Sequence, residues 1–307
     1  MRIQSMPIFI GILCGLSANL IWGLAFLIPV LLPSSDSVAL ALGRYLVFGV
    51  LSACILIAQG RKGIRGISWR IWITALLFAF AGHLGYYFFL VQAITHAGTT
   101  IATAIICTLP VTIALTGNWI RKEFSFPRLF VPLSFIIIGL TLVNIIEAGA
   151  ANNIKGNHLD LDLLIGTVSA LIALTLWTSY AVANASFLRR HPDISSSTWS
   201  TLMGVSSHIM SLLALPIAIG SGAIHINGAD NLLPLIFAAL VIGIIVSWVG
   251  TLLWNRASGL LPISIAGQIA VVQTIAGMVY GFAWFHHMPP PRAIRDYFAY
   301  WWRNISY

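Results

Sequence analysis

Uninterrupted apolar runs of about 20 residues recur along this chain, the length a helix needs to cross the hydrocarbon core of a bilayer. No other feature restricts the fold as much, because backbone placed in hydrocarbon must pair all of its own polar groups. The runs are continuous, whereas a membrane β-strand alternates lipid-facing and lumen-facing residues, so a barrel is excluded. A soluble fold fails for lack of covering: with 59% hydrophobic and 8% charged residues and a mean hydropathy of +0.93, too little polar surface exists to enclose so many buried helices. The chain reads as an all-α polytopic membrane protein.

Nine spans are predicted, roughly at 7–32, 37–59, 69–92, 98–119, 128–146, 163–186, 199–219, 232–253 and 261–285. The connections are short, and the longest polar stretch, "EAGAANNIKGNHLDLD" at 147–162, is too small for a soluble domain. The first apolar run is too long for a signal peptide and lacks a small-residue cleavage site, so it reads as a retained helix.

Loop charges set an orientation. Arg2, the loop 60–70 with Arg61, Lys62, Arg65 and Arg70, the turn with Arg121, Lys122 and Arg128, then Arg189, Arg190 and Arg256 all fall on one side. The other side holds Asp36, Glu147, Asp160, Asp162 and Asp230 against Lys155. Positive loops stay inside, which predicts a cytoplasmic N-terminus in a bacterial-type inner membrane. The net charge of +8 is thus a topology signal, and a nucleic-acid partner is excluded because the basic residues are not gathered on one face. Cys14, Cys54 and Cys107 lie in separate spans and read as small buried apolar residues, forming neither a disulfide framework nor a metal site.

The chain also matches itself. A shift of 164 lays residues 86–128 on 250–292 without a gap, pairing Ala93 with Ala257, Ile101 with Ile265, Ala102 with Ala266, Ile105 with Ile269 and Gly117 with Gly281. A shift of 155 places Trp22 on Trp177. The halves, 1–150 and 151–307, therefore read as two copies of a five-helix unit. An odd number of spans per copy inverts the second copy in the bilayer, and the loop charges agree: "PSSDS" faces "FLRRHPD", and "GRKGIRGISWR" faces "GSGAIHINGADN". Inverted repeats are a transporter architecture, since two related halves can expose one central site to either side in turn. The substrate so implied is a small molecule, the surroundings are lipid, and a homodimer stays open.

The repeat expects a tenth span at "AIRDYFAYWWRNISY", residues 293–307. That stretch is about 15 residues long and holds Arg295, Asp296 and Arg303, too short and too polar to cross. The expectation is a ten-helix architecture whose last helix is truncated or replaced, with Trp301 and Trp302 at the outer interface; a nine-helix protein is the alternative.

The "IWG" of the first span, the "GRY" opening the second, and the run "YYFFLVQAITHAGTTIATAIICTLPVTIALTGNWIRKEFSFPR" together resemble the drug/metabolite transporter superfamily, in its form with two EamA-type domains. The resemblance covers nearly the whole chain. It implies ten helices in two inverted units around a central cavity, and secondary transport, commonly export, of small metabolites such as amino acids or amines.

Chemistry must come from polar groups at membrane depth, where they are costly unless they face a cavity or a partner. Arg44 is the basic residue placed well inside a span. It suits a substrate carboxylate or a gate contact, or else it snorkels as an anchor; the resemblance implies an arginine at this position. His83, between Gly82 and Gly85, is a candidate protonation site or a packing residue, and His208 is a weaker one. Tyr86, Tyr87, Trp22, Trp177, Tyr180 and Tyr280 are candidates to line a cavity, while Trp119 and Trp254 fit an interfacial belt better. Asn19, Asn184, Gln268 and Gln273 are mid-span amides suited to a site or to helix contacts. Pro110 removes a backbone hydrogen bond mid-helix, marking a binding-site break or a structural kink. Glu123 reads as pairing locally with Arg121, Lys122 or Arg128.

No cofactor is implied. An enzyme is not indicated: the chain has no phosphate-binding Gly-rich loop, no HExxH, and no serine or aspartate pair placed for intramembrane hydrolysis. The alternatives to a transporter are a truncated relative that no longer transports, or a membrane-embedded sensor or enzyme on the same scaffold.

Overall fold

The protein is described by a computed structural model covering residues 2–31, 37–60, 66–125, 127–138, 161–224 and 232–285. These residues form helices joined by turns: α1 (Arg2–Leu31), α2 (Ser37–Gln59), α3 (Trp69–Gly98), α4 (Ile101–Arg121), α5 (Pro127–Ile138), α6 (Leu161–Arg190), α7 (Ser196–Gly220), α8 (Leu232–Leu260) and α9, which runs as Ile263–Ile269 and then Val271–Phe285. All but α5 are long and apolar enough to cross a membrane. The predicted fifth span is described only as far as Ile138, and the C-terminal stretch expected to replace a tenth span lies outside the described residues.

Local chemistry ends these helices. The Ser195 hydroxyl accepts from the Thr198 amide at 3.0 Å and caps α7, and Lys122 adopts a left-handed φ of 53° to close α4. Gly98, at φ 81° and ψ 163°, breaks the chain between α3 and α4 in a region that only glycine enters freely. Two helices carry π-helical turns in their middles, Phe80–Leu84 in α3 and Ile242–Val249 in α8.

Lipid offers no hydrophobic drive for helices to associate, so close packing of small residues must supply it. The contacts follow that rule. Ala18, Ala75, Ala79, Ala93, Ala102, Ala114, Ala170, Ala173 and Ala257 are fully buried, whereas Ile57, Phe135, Leu213 and Phe237 face outward. A Cβ on Gly166 of α6 would stand 2.3 Å from the Ala97 amide nitrogen of α3, and one on Gly11 of α1 would stand 2.8 Å from the Leu261 side chain beyond α8. These two contacts are offset from each other by 155 residues on one partner and 164 on the other.

The helix neighbours pair off in the same fashion. The second half of α3 lies along α6, and α1 lies along the second half of α8. The first half of α3 meets α7, while α8 meets α2. Helices α2 and α7 pack together, as do α4 and α9. Exchanging α1–α4 with α6–α9 swaps α3–α6 with α1–α8 and α3–α7 with α2–α8, and leaves α2–α7 and α4–α9 as they are.

The structure changes three readings made from the sequence. Pro110 does not sit inside a continuous helix: the chain turns at Cys107–Thr108 and restarts at Leu109, so the proline lies in a first turn, where its missing N–H costs no bond. Of the cysteines, Cys107 is buried, but Cys14 is half-buried and Cys54 is exposed on α2. Trp254 is 1% exposed and packs with Trp22 and Trp177 inside the bundle rather than facing outward, while Trp119 is 80% exposed.

Candidate functional site

Several hydrogen bonds join residues 1–150 to residues 151–307, and two of them pair a basic side chain with a serine. Arg44 of α2 donates through Nε to the Ser247 hydroxyl of α8 at 2.6 Å, and His83 of α3 lies 2.7 Å through Nδ1 from the Ser207 hydroxyl of α7. Both involve a π-helical turn, since Ser247 and His83 each sit in one. A π turn adds a residue to the helix and displaces the side chains around it, a local irregularity that recurs at functional sites. Ser247 and His83 are 164 positions apart, the shift that lays residues 86–128 on 250–292, and each half contributes one of the two π turns.

The tautomer of His83 follows from its partner. Ser207 spends its single hydroxyl proton on the Met203 carbonyl at 2.9 Å, so its oxygen accepts from His83. That places a proton on Nδ1 and leaves Nε2 without a partner among the described residues.

Tyr45 joins the two basic groups. The Arg44 guanidinium carbon lies 5.2 Å from the Tyr45 ring centroid, and the His83 imidazole stacks on that ring at 5.4 Å with 20° between planes. Tyr86 is half-buried on α3, three residues beyond His83. From His83 an aromatic path continues to Tyr180 at 6.2 Å, on to Trp177 at 5.9 Å, and then to Trp22 and Trp254, which lie 6.1 and 5.8 Å from Trp177. Trp22 is fixed by a 3.0 Å bond from Nε1 to the Val246 carbonyl, again in the π turn of α8.

The remaining predicted residues fall elsewhere. Asn19 is fully buried but turns back on its own helix, donating to the Gly15 carbonyl at 2.8 Å. Asn184 belongs to a buried polar network: it donates to Asn255 at 2.8 Å and accepts from Trp199 Nε1 at 2.7 Å, while Asn255 donates to Ser200 at 2.8 Å. Gln268 and Gln273 flank the turn at Ala270 that interrupts α9, and Pro110 flanks the comparable turn in α4. Tyr87 is half-buried beside Tyr86. His208 bonds the Leu46 carbonyl at 3.0 Å and fills the space over Gly49, a helix-packing role, and Tyr280 reaches the Leu20 carbonyl at 3.2 Å.

Glu123 differs most from its sequence reading. Its carboxylate accepts from the Ile263 and Ser264 amides at 3.1 and 3.2 Å and from the Ser264 hydroxyl at 3.2 Å, and it pairs with Arg189 at 3.1 Å. Arg189 also donates to the Leu261 carbonyl. A negative charge at the first turn of a helix satisfies orphan N–H groups and complements the helix dipole. One carboxylate thus ties the end of α4 to the end of α6 and the start of α9. The partners lie 66 and 140 or more positions away, so no local pattern announces them.

The fold and this site define a polytopic membrane protein in which two helical sets meet around half-buried Arg44, buried His83 and a run of aromatic groups. Residues 9–145 match the EamA-like transporter family. The chain is 35% identical over 294 residues to the inner membrane protein YtfF of Escherichia coli (strain K12), covering 91% of this chain and 89% of that protein. A solved crystal structure of a protein 17% identical superposes with a TM-score of 0.72 over 92% of this chain and 90% of that one. The chain belongs to the EamA-like transporter family, within the drug/metabolite transporter superfamily.

Proposed function

We propose that the protein is a secondary transporter that exports a small metabolite across the inner membrane by alternating access, with Arg44 and His83 at the central site. The observation that carries this reading is the pair of bonds Arg44–Ser247 and His83–Ser207, each joining the first half of the chain to the second at membrane depth. Groups shared between two moving halves change partners when the halves rock, and transporters built from inverted repeats place their sites there.

The halves 1–150 and 151–307 are taken as inverted copies. Supporting this are the offset contacts Gly166–Ala97 and Gly11–Leu261, the π turns in α3 and α8, and the interruptions in α4 and α9. The N-terminus is placed in the cytoplasm on the loop charges. On that orientation Glu123, Arg189 and the start of α9 shut the cytoplasmic end of the pathway.

Flux of candidate solutes into proteoliposomes, with and without an imposed proton gradient, tests the reading. Transport is expected, with a loss of tenfold or more in Arg44→Ala and His83→Ala. Flux unchanged in both variants would remove these residues from the site, and an absence of flux for every solute would favour a relative that no longer transports.

A further inference from the structure

Arg44 carries a permanent charge roughly 10 Å along α2 from its start, and what surrounds that charge restricts what can bind beside it. Among the described residues no carboxylate pairs with it: the ion pairs there are His96–Asp162 and Arg189–Glu123, at opposite ends of α6. The sequence reinforces this. Its eight acidic residues are Asp36, Glu123, Glu147, Asp160, Asp162, Asp193, Asp230 and Asp296, and those described lie at helix ends or in turns. The bundle interior therefore holds a fixed cation and no fixed anion among the described residues.

The geometry of the guanidinium is equally specific. Ser247 takes the Nε edge and sets the orientation of the plane, and Tyr45 supplies a π face. Nη1 and Nη2 have no hydrogen-bond partner among the described residues. Two parallel N–H donors on a rigid fork match the two oxygens of a carboxylate or a similar oxyanion.

We propose that Arg44 anchors an oxyanion of the transported solute through Nη1 and Nη2, so that the solute is an anion or a zwitterion and never a simple amine. This rests on the transporter reading above and narrows it, excluding the amines that the family resemblance admits. A cation beside Arg44 meets like-charge repulsion that no acidic side chain among the described residues offsets, which at contact distance corresponds to a discrimination of about a hundredfold or more.

The test uses the full-length protein and solutes matched in skeleton: butyrate, butylamine and butyramide; 3-phenylpropionate, 3-phenylpropylamine and 3-phenylpropionamide; and the zwitterions alanine and phenylalanine. Thermal shift in detergent and counterflow in proteoliposomes are read in parallel. At least one acid or zwitterion is expected to raise Tm and to move, while its amine and amide counterparts do neither. Arg44→Gln should abolish the preference, and Arg44→Lys should keep the preference for acids with binding weakened about tenfold, because the charge remains and the fork is lost. Ser247→Ala, which leaves the charge in place and removes its orienting bond, should weaken acid binding severalfold and guards against misfolding of the Arg44 variants. Preferential movement of an amine or amide, or an acid preference that survives Arg44→Gln, would overturn the inference while leaving transport standing. If no solute in the panel shifts or moves, the inference and the transporter reading both fall.

Discussion

Glu123 and Arg189 meet at 3.1 Å, 66 residues apart in sequence, and the same carboxylate holds the first two amides of α9. Both side chains are largely shielded, at 13% and 25% exposure, so the pair is not diluted by solvent as an open surface pair would be. Replacing Glu123 with Ala leaves two helix amides without their acceptor and the Arg189 guanidinium with only the Leu261 carbonyl. Loss of about 2 kcal/mol of stability is expected, and Glu123→Gln, whose carbonyl still accepts, should lose less. Thermal denaturation in detergent measures both. A cysteine at Ser264 should also label faster in Glu123→Ala, because the proposed closure of the pathway at the start of α9 loses its tie; equal labelling would count against the latch.

Three glycines separate crowding from strain. Gly166 has the Ala97 nitrogen 2.3 Å from its missing Cβ, so Gly166→Ala must push α6 from α3, at about 1–3 kcal/mol. Gly98 has open space around it but holds φ at 81°, so Gly98→Ala should cost a similar 1–3 kcal/mol through backbone strain alone. Gly220 has open space and a helical backbone, so Gly220→Ala should be neutral or stabilising by about 0.5 kcal/mol. Melting temperatures of the three variants check the order, and a Gly98→Ala protein as stable as the parent would refute the strain argument.

The network of Asn184, Asn255, Ser200 and Trp199 is buried and mutually satisfied. Asn184→Ala strands the Trp199 N–H and one Asn255 oxygen, which should cost about 1–3 kcal/mol. Adding Asn255→Ala should cost less than its effect alone, since the partners are already lost. A double-mutant cycle in detergent gives the coupling, and strict additivity would show that the network does not act as a unit.

The His83 tautomer is also testable. Ser207→Ala removes the acceptor that fixes the proton on Nδ1. The ring then exchanges between tautomers, which nitrogen-15 histidine spectra resolve as a change in the Nδ1 and Nε2 shifts. Transport should fall severalfold while the melting temperature changes little, since stacking on Tyr45 persists. Unaltered spectra would mean that the bond does not set the tautomer.

The fold was legible in the sequence to the extent that its cause is compositional. Apolar length marks the spans because a bilayer imposes one thickness, whereas the close contacts at Gly166 and Gly11 were not singled out, because glycines are common in such helices. Arg44 and His83 stood out, since a basic group at membrane depth is costly and so conspicuous. Their partners did not, because serines are ordinary in such helices and the π turns that present His83 and Ser247 have no sequence signature. Glu123 misled because neighbouring arginines offered an obvious local pairing, while its actual partners are set by the tertiary meeting of α4, α6 and α9. Trp254 misled for a related reason: distance along the chain from a span's end says little about depth when α8 runs 29 residues.

A cation fixed well inside α2 also sits within the membrane's electrical field. Moving one elementary charge across a potential of 100 mV involves about 2.3 kcal/mol, so any displacement of Arg44 relative to that field couples the protein's conformation to voltage. Bound to a monoanion, the site becomes electrically silent; empty, it is not. On the proposed alternating-access cycle, and for a monoanionic solute, the loaded and unloaded halves should therefore answer differently to membrane potential, with the empty carrier's return as the voltage-sensitive step.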